Sequence, residues 1–153
     1  MGNLVAITGN DVLTLNDRIM NGLADQSVAD LSFPAKVAAL KVGKNRNSIF
    51  AENTTGYSGA FKLRLLRRCA DDGFLLGLYN AQTGGNFSGT VLLQGSFVKQ
   101  VGDGAGNVSY DTYTLQGGIF VSGQPAISNP EGNTEQAVVV YELMFANVFR
   151  AAN

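Results

Sequence analysis

The spacing of apolar side chains changes period sharply between Gly59 and Tyr79, in the stretch GAFKLRLLRRCADDGFLLGLY. Phe61, Leu63 and Leu65 alternate with Lys62, Arg64 and Leu66, which is the period of a strand with one face in a core. From Ala70 onward the period is helical, with Phe74, Leu75 and Leu78 recurring on one side. Asp71 and Asp72 stand where acidic side chains favour the positive end of a helix dipole. The pattern predicts a strand that runs into one short amphipathic helix, about 69–81, which plugs the open end of a sheet sandwich.

Elsewhere the pattern is strand and turn. Val12 to Leu15 and Arg18 to Met20 flank Asn16-Asp17 as a first hairpin, and a further strand over 27–33 ends at Pro34. Residues 36–42 and 48–52 flank Gly43-Lys44-Asn45-Arg46-Asn47, which predicts a long exposed hairpin over about 36–59. The strongest hairpin signal joins Thr90 to Val101 with Val108 to Val121 around a Gly/Asp/Asn-rich tip. On these strands Thr90, Gln94, Ser96 and Gln100 share one side, as do Thr112, Thr114 and Gln116, giving a neutral hydroxyl and amide face. Gln136 to Phe149 closes the chain as a strand apolar on both faces, which calls for cover from its own core on one side and a partner subunit on the other. The first residues, about 1–10, read as an arm ordered by a neighbour. The whole is one mainly β domain over 1–153 with a single flanking helix.

At 153 residues one domain can bury about two-thirds of its unfolded surface without a staple. The lone Cys69 and the lack of a charged leader before an apolar run predict folding in a reducing compartment. The longest apolar run, Ala137 to Phe149, is interrupted by Glu142 and falls short of the roughly 20 residues a bilayer span needs, so no membrane partner is expected. Net charge is −1, but nine of the 11 basic residues lie in the first 72 positions. Low charge (15%), 19 glycines and 45% hydrophobic residues leave much neutral and apolar surface, which suits a protein that packs against copies of itself.

Catalytic chemistry finds little footing. The chain has no histidine, which removes Ser/His/Asp triads, Cys/His dyads and the commonest metal ligand together. Asp71 and Asp72 are adjacent on a helix and point in different directions, so a first-turn role explains them better than general acid/base work. Gly102, Gly104 and Gly106 precede no helical pattern, as a dinucleotide fingerprint would require, and a hairpin tip accounts for them. Neither a cofactor nor a metal is expected. Lys41, Lys44, Arg46, Lys62, Arg64, Arg67 and Arg68 fall close together with Glu52 as the one acid among them. No aromatic series interleaves with them as in single-strand binders, so a partner interface is favoured over nucleic acid, the cations meeting carboxylates such as Asp103, Asp111, Glu131, Glu135 or Glu142 of a neighbour.

Between roughly Asp11 and Leu78 the order of elements resembles the tail tube proteins of contractile-tailed bacteriophages. The resemblance is carried by VLTLNDRIM (Val12 to Met20), KVGKNRN (Lys41 to Asn47), YSGAFKLRLLR (Tyr57 to Arg67) and CADDGFL (Cys69 to Leu75). Cys69 stands where that family often has a serine cap, and Arg46 where glycine is common. The resemblance implies an antiparallel β-sandwich or barrel-like subunit with one helix, assembled into hexameric rings that stack into a tube. DNA would pass through the lumen unread, tail sheath and baseplate proteins would be partners, and the protein would reside in the virion tail after assembly in the host cytoplasm. On that reading Thr90, Gln94, Ser96, Gln100, Thr112, Thr114 and Gln116 are lumen candidates, and Lys44, Arg46 and Asn47 candidates for ring-to-ring contact. The arm and the last strand, with Tyr141 and Phe145, would serve contacts within a ring, and Arg64, Arg67 and Arg68 would meet neighbours. A baseplate ring, a secretion-system tube and a small-ligand β-barrel are the alternative readings.

Overall fold

Wherever a strand meets the core, alternation in the sequence becomes alternation in burial. In β7 (Gly59–Leu66) Phe61, Leu63 and Leu65 are buried while Lys62 and Leu66 are exposed. The computed structural model describes residues 5–7, 11–24, 28–54, 56–85 and 87–152. The other strands are β1 (Ala6–Ile7), β2 (Val12–Leu15), β3 (Arg18–Ile19), β4 (Ala29–Ser32), β5 (Ala38–Val42), β6 (Ser48–Glu52), β8 (Leu93–Gly102), β9 (Val108–Ser122) and β10 (Val138–Ala152). One helix, α1, runs over Ala70–Thr83. Of the expected N-terminal arm, only 5–7 lie among the described residues, and there Ala6 and Ile7 pair with Gly102 and Val101.

Eight strands form one antiparallel sheet in the order β3-β2-β8-β9-β10-β7-β4, with β1 beside β8. The sheet curls on itself. β7 and β8 are separated by β9 and β10, which in a flat sheet would set them about 14 Å apart, yet the rings of Phe61 and Phe97 meet with centroids 5.8 Å apart. Beyond β3 the chain reaches the part of β7 that β4 leaves unpaired, where Leu23 pairs with Leu65 and the Ala24 amide donates to Arg64 O at 2.8 Å. The result is an antiparallel, barrel-like sandwich. Gly95 permits the closest strand approach, since a Cβ there would lie 1.8 Å from the Thr14 carbonyl oxygen.

The interior is filled by large side chains, with Tyr141, Phe61 and Phe145 almost wholly buried among leucines from β2, β7, β8, β9 and β10. Helix α1 covers the end where β7 finishes and β10 begins, inserting Leu75 and leaning Phe74, Leu78 and Tyr79 on the core. A local cap and bonds that join Asp71, Asp72 and Gln82 to other elements, Tyr141 donating to Asp72 among them, fix its place. The Cys69 Sγ caps the helix by accepting from Asp72 N at 3.3 Å, in the position expected of a serine. Asp71 accepts from the backbone N–H groups of Asn21 (2.6 Å) and Gly22 (2.7 Å) and from Arg18 Nε (2.8 Å). Near the other end of α1, the Gln82 amide exchanges hydrogen bonds with both the N–H and the C=O of Phe120, standing in for a strand partner beside a β9 irregularity.

β10 is partly covered within the chain on the first part of its second face, whereas Phe149 further along is 53% exposed. Its outward residues Val140 and Met144 are half-buried, and the loop 123–137 folds over Val140. Arg64 fixes that loop through two bonds to Glu135 at 2.9 and 3.0 Å, and Arg67 Nε donates to Gln136 O. The Gly/Pro/Asn-rich composition of the loop suggests mere flexibility, but Gln136 cross-links it by bonding Asn129 and Asn133 backbone groups.

Candidate functional site

Two surfaces remain once the core is accounted for. The first is the β5–β6 hairpin, a separate two-stranded sheet with every strand residue exposed. Its register sets Leu40 opposite Phe50 and Lys41 opposite Ile49, so both faces carry apolar side chains. Leu40 is 61%, Val42 60%, Ile49 65% and Phe50 78% exposed. The tip is tight. Gly43 N donates to Asn47 O at 2.7 Å and Arg46 N to Gly43 O at 3.1 Å, with Arg46 at φ 64° in the left-handed region that favours glycine. Lys44, Arg46 and Asn47 are all exposed at this tip.

The second surface is the outer face of β2, β8, β9 and β10. Ser96 sits between Thr14 and Thr114 in the register, Thr112 sits beside Val98, and Gln116 beside Asn147. Gln94 and Gln100 have the same strand parity as Ser96, so six of the seven expected residues share this face. Thr90 does not: it precedes β8 in a turn, its hydroxyl donating to Phe87 O. The charged residues of β8, β9 and the last part of β10 lie on the opposite face, where Lys99 pairs with Asp11 at 3.2 Å and Arg150 with Asp111 at 2.9 Å, whereas Glu142, near the start of β10, points outward and meets Lys62 of β7. Around β2, β8, β9 and the last part of β10 the outer face is therefore neutral, with Val12, Tyr110 and Phe149 interspersed among its hydroxyls and amides.

Several other candidate residues have partners within the chain. Tyr141 and Phe145 are each 0% exposed, so their side chains have no surface to offer a neighbour; they point inward because β10 alternates with that phase. Tyr141 donates to Asp72 Oδ1 at 2.6 Å, and burial followed by this bond pushes its hydroxyl pKa up. Arg64 meets Glu135 of its own chain, and Lys62 meets Glu142, in place of the expected carboxylates of a neighbour. Arg67 reaches the loop carbonyl, while Arg68 has an exposed side chain and a backbone N–H that donates to Asp72 Oδ2. Glu142 also accepts from the Ser122 hydroxyl, and that bond together with Lys62 holds its carboxyl below the usual range, unlike a general base.

Among the described residues no three His, Cys, Asp or Glu side chains gather in a way that could hold a metal ion, and no helix is long and apolar enough to cross a membrane. The feature that sequence reasoning missed is the apolar character of the hairpin. Its signal was present in KVAALKV and NSIFAE, where apolar residues occupy both alternating sets. Comparison with models of protein families finds no match to the chain, and comparison with curated proteins finds none either.

Proposed function

We propose that this chain is a structural subunit of a bacteriophage tail tube, assembling into hexameric rings that stack around a lumen through which DNA passes. The observation that carries the reading is the uncovered β5–β6 hairpin. A lone two-stranded hairpin is at best marginally stable in water, and this one shows large apolar side chains to solvent on both faces. A second copy of the chain is the cover that such an arm implies, and closure into a ring would give every arm the same environment. Lys44, Arg46 and Asn47 then lie at the contact between rings.

The neutral outer face supports the conduit. A wall that DNA must slide along gains from hydrogen-bonding groups without cations, because neutralising phosphates would turn passage into binding. Gln94, Ser96, Gln100, Thr112, Thr114 and Gln116 supply such a wall. A filled barrel interior weighs against a small-ligand carrier. Tail sheath and baseplate proteins are the expected outer and terminal partners.

Negative-stain electron microscopy of the purified protein tests the reading. Stacked rings with six-fold averages are expected. Single rings that never stack would favour a baseplate role, and a clean monomer by sedimentation at high concentration would overturn self-assembly altogether.

A further inference from the structure

An arm that docks on a neighbour needs a fixed direction, and the base of the hairpin is built to fix one. Just beyond β6 the Asn53 amide N–H donates to Val37 O at 2.8 Å, and its side-chain Nδ2 donates to Lys36 O at 2.7 Å. One residue thus grips two consecutive carbonyls of the incoming strand. Gly56 N donates back to Asn53 O at 3.0 Å. Gly56 is buried, and a Cβ on it would lie 2.4 Å from Lys36 O and 2.9 Å from Val37 Cα, so the two legs of the hairpin touch backbone to backbone. Tyr57 carries the connection onward in both directions: its hydroxyl donates to Glu52 Oε1 at 2.8 Å, and its carbonyl accepts from Val148 N of β10 at 3.0 Å.

We propose that Asn53 and Gly56 are positioning residues, a clamp that couples the β5–β6 hairpin to β10 and presents it as a rigid arm in one orientation before any partner binds. Preorganisation of this kind removes the ordering cost from the docking step. The clamp stands on the geometry of one subunit; its consequence for assembly rests on the docking role proposed for the hairpin.

The test uses the full chain with Cys69→Ser, which keeps a capping side chain, and spin labels on Asn45→Cys at the hairpin tip and Asn80→Cys on α1. Labelled protein is diluted into unlabelled protein so that only distances within a subunit are read. A single narrow distance distribution is expected. Gly56→Ala, and separately Asn53→Asp, which sets an acceptor against Lys36 O, should broaden it at least about twofold while the Tm of the barrel stays put. Tyr57→Phe removes the link to Glu52 alone and should broaden it less. A native distribution already as broad as that of the variants, or one that neither variant changes, overturns the clamp. A narrow native distribution that broadens as stated in a protein that forms no rings would leave the clamp standing and remove the tube.

Discussion

Replacing Asp71 by asparagine removes the tie between α1 and the segment that closes the barrel. Asp71 is 3% exposed and accepts from three donors, the N–H groups of Asn21 and Gly22 on Oδ2 and Arg18 Nε on Oδ1. Asparagine keeps one acceptor oxygen and turns an NH₂ group either toward two backbone donors or toward a guanidinium. Breaking a buried charge pair costs about 3–5 kcal/mol, and each donor stranded from water about 1–3 kcal/mol. Arg18 is 38% exposed at its side chain and can rehydrate, so the lower end applies and the expected loss is about 3 kcal/mol. With a urea slope near 2 kcal/mol/M this moves the midpoint by about 1.5 M.

The pH dependence gives a second handle on the same bond set. Burial is the largest single influence on the Asp71 carboxyl and raises its pKa, but the bonds from Gly22, Asn21 and Arg18 and the Arg18 charge together outweigh burial and hold it below the ordinary 3.8. A carboxyl depressed in the folded state contributes stability that is fully present above its unfolded value and is lost as pH falls through the folded one. The gap between native protein and Asp71→Asn should therefore be constant from pH 7 to about pH 5 and shrink below about pH 4. Urea unfolding followed by circular dichroism at several pH values reads both quantities. A destabilisation under about 1 kcal/mol at neutral pH, or a gap that does not close in acid, would refute the assignment.

Gly73 and Gly77 lie on the exposed side of α1 with nothing within 4 Å of a built Cβ, so alanine at either should stabilise the fold by up to about 1 kcal/mol through helix propensity; a lower Tm would contradict that. Arg46→Gly relieves the left-handed backbone at the hairpin tip, worth about 1 kcal/mol locally, and should slow amide exchange in β5 and β6 without altering β7. Tyr141→Phe strands the buried Asp72 Oδ1 and should cost about 1–3 kcal/mol; a neutral result by thermal unfolding would show that water replaces the hydroxyl. The double change Leu40→Ser and Phe50→Ser should leave barrel stability within about 0.5 kcal/mol and abolish ring formation in electron micrographs; rings that persist would clear the hairpin of any docking role.

The legible parts of the fold were those where one residue's choice agreed with its neighbours' period. Phe61, Leu63 and Leu65 fall in the core because alternation over eight residues admits a single phase, and the helix begins at Ala70 because Cys69, Asp71 and Asp72 all act at its first turn. What Asp71 and Asp72 hold was not legible. A dipole reading needs only local sequence, whereas their partners Asn21, Gly22 and Tyr141 lie some 50 to 69 positions away. β10 misled for a related reason: both alternating sets in VVVYELMF are apolar, so the pattern carries no phase, and Tyr141 and Phe145 could be assigned to the surface only by ignoring which set met β7. The intrachain partners of the arginines were hidden for another reason. Charge density along the chain says nothing of pairing, and Glu135 reaches Arg64 only because the loop 123–137 folds back over β10.

The same lack of phase has opposite outcomes in the two places where it occurs. In β10 outward Val140 is half-buried beside a loop held by Arg64 and Arg67, while Phe149 on the same face stays exposed. In β5 and β6 an equally two-faced pair of strands stays exposed among the described residues, although its base is bonded by Asn53 and Gly56. That contrast, with a close-fitting base under the exposed hairpin, is what supports the proposal that a second copy covers it. The neutrality of the β8–β9 outer face follows from a comparable division: Lys99 and Asp111 sit on these strands and lie on the opposite face, paired with Asp11 and with Arg150 of β10. On the tube proposal, self-association and indifference to cargo charge fall to separate elements, the apolar hairpin and the uncharged β8–β9 wall, so substitutions in the hairpin should alter assembly without altering the wall, and substitutions at Thr112 or Thr114 should do the reverse.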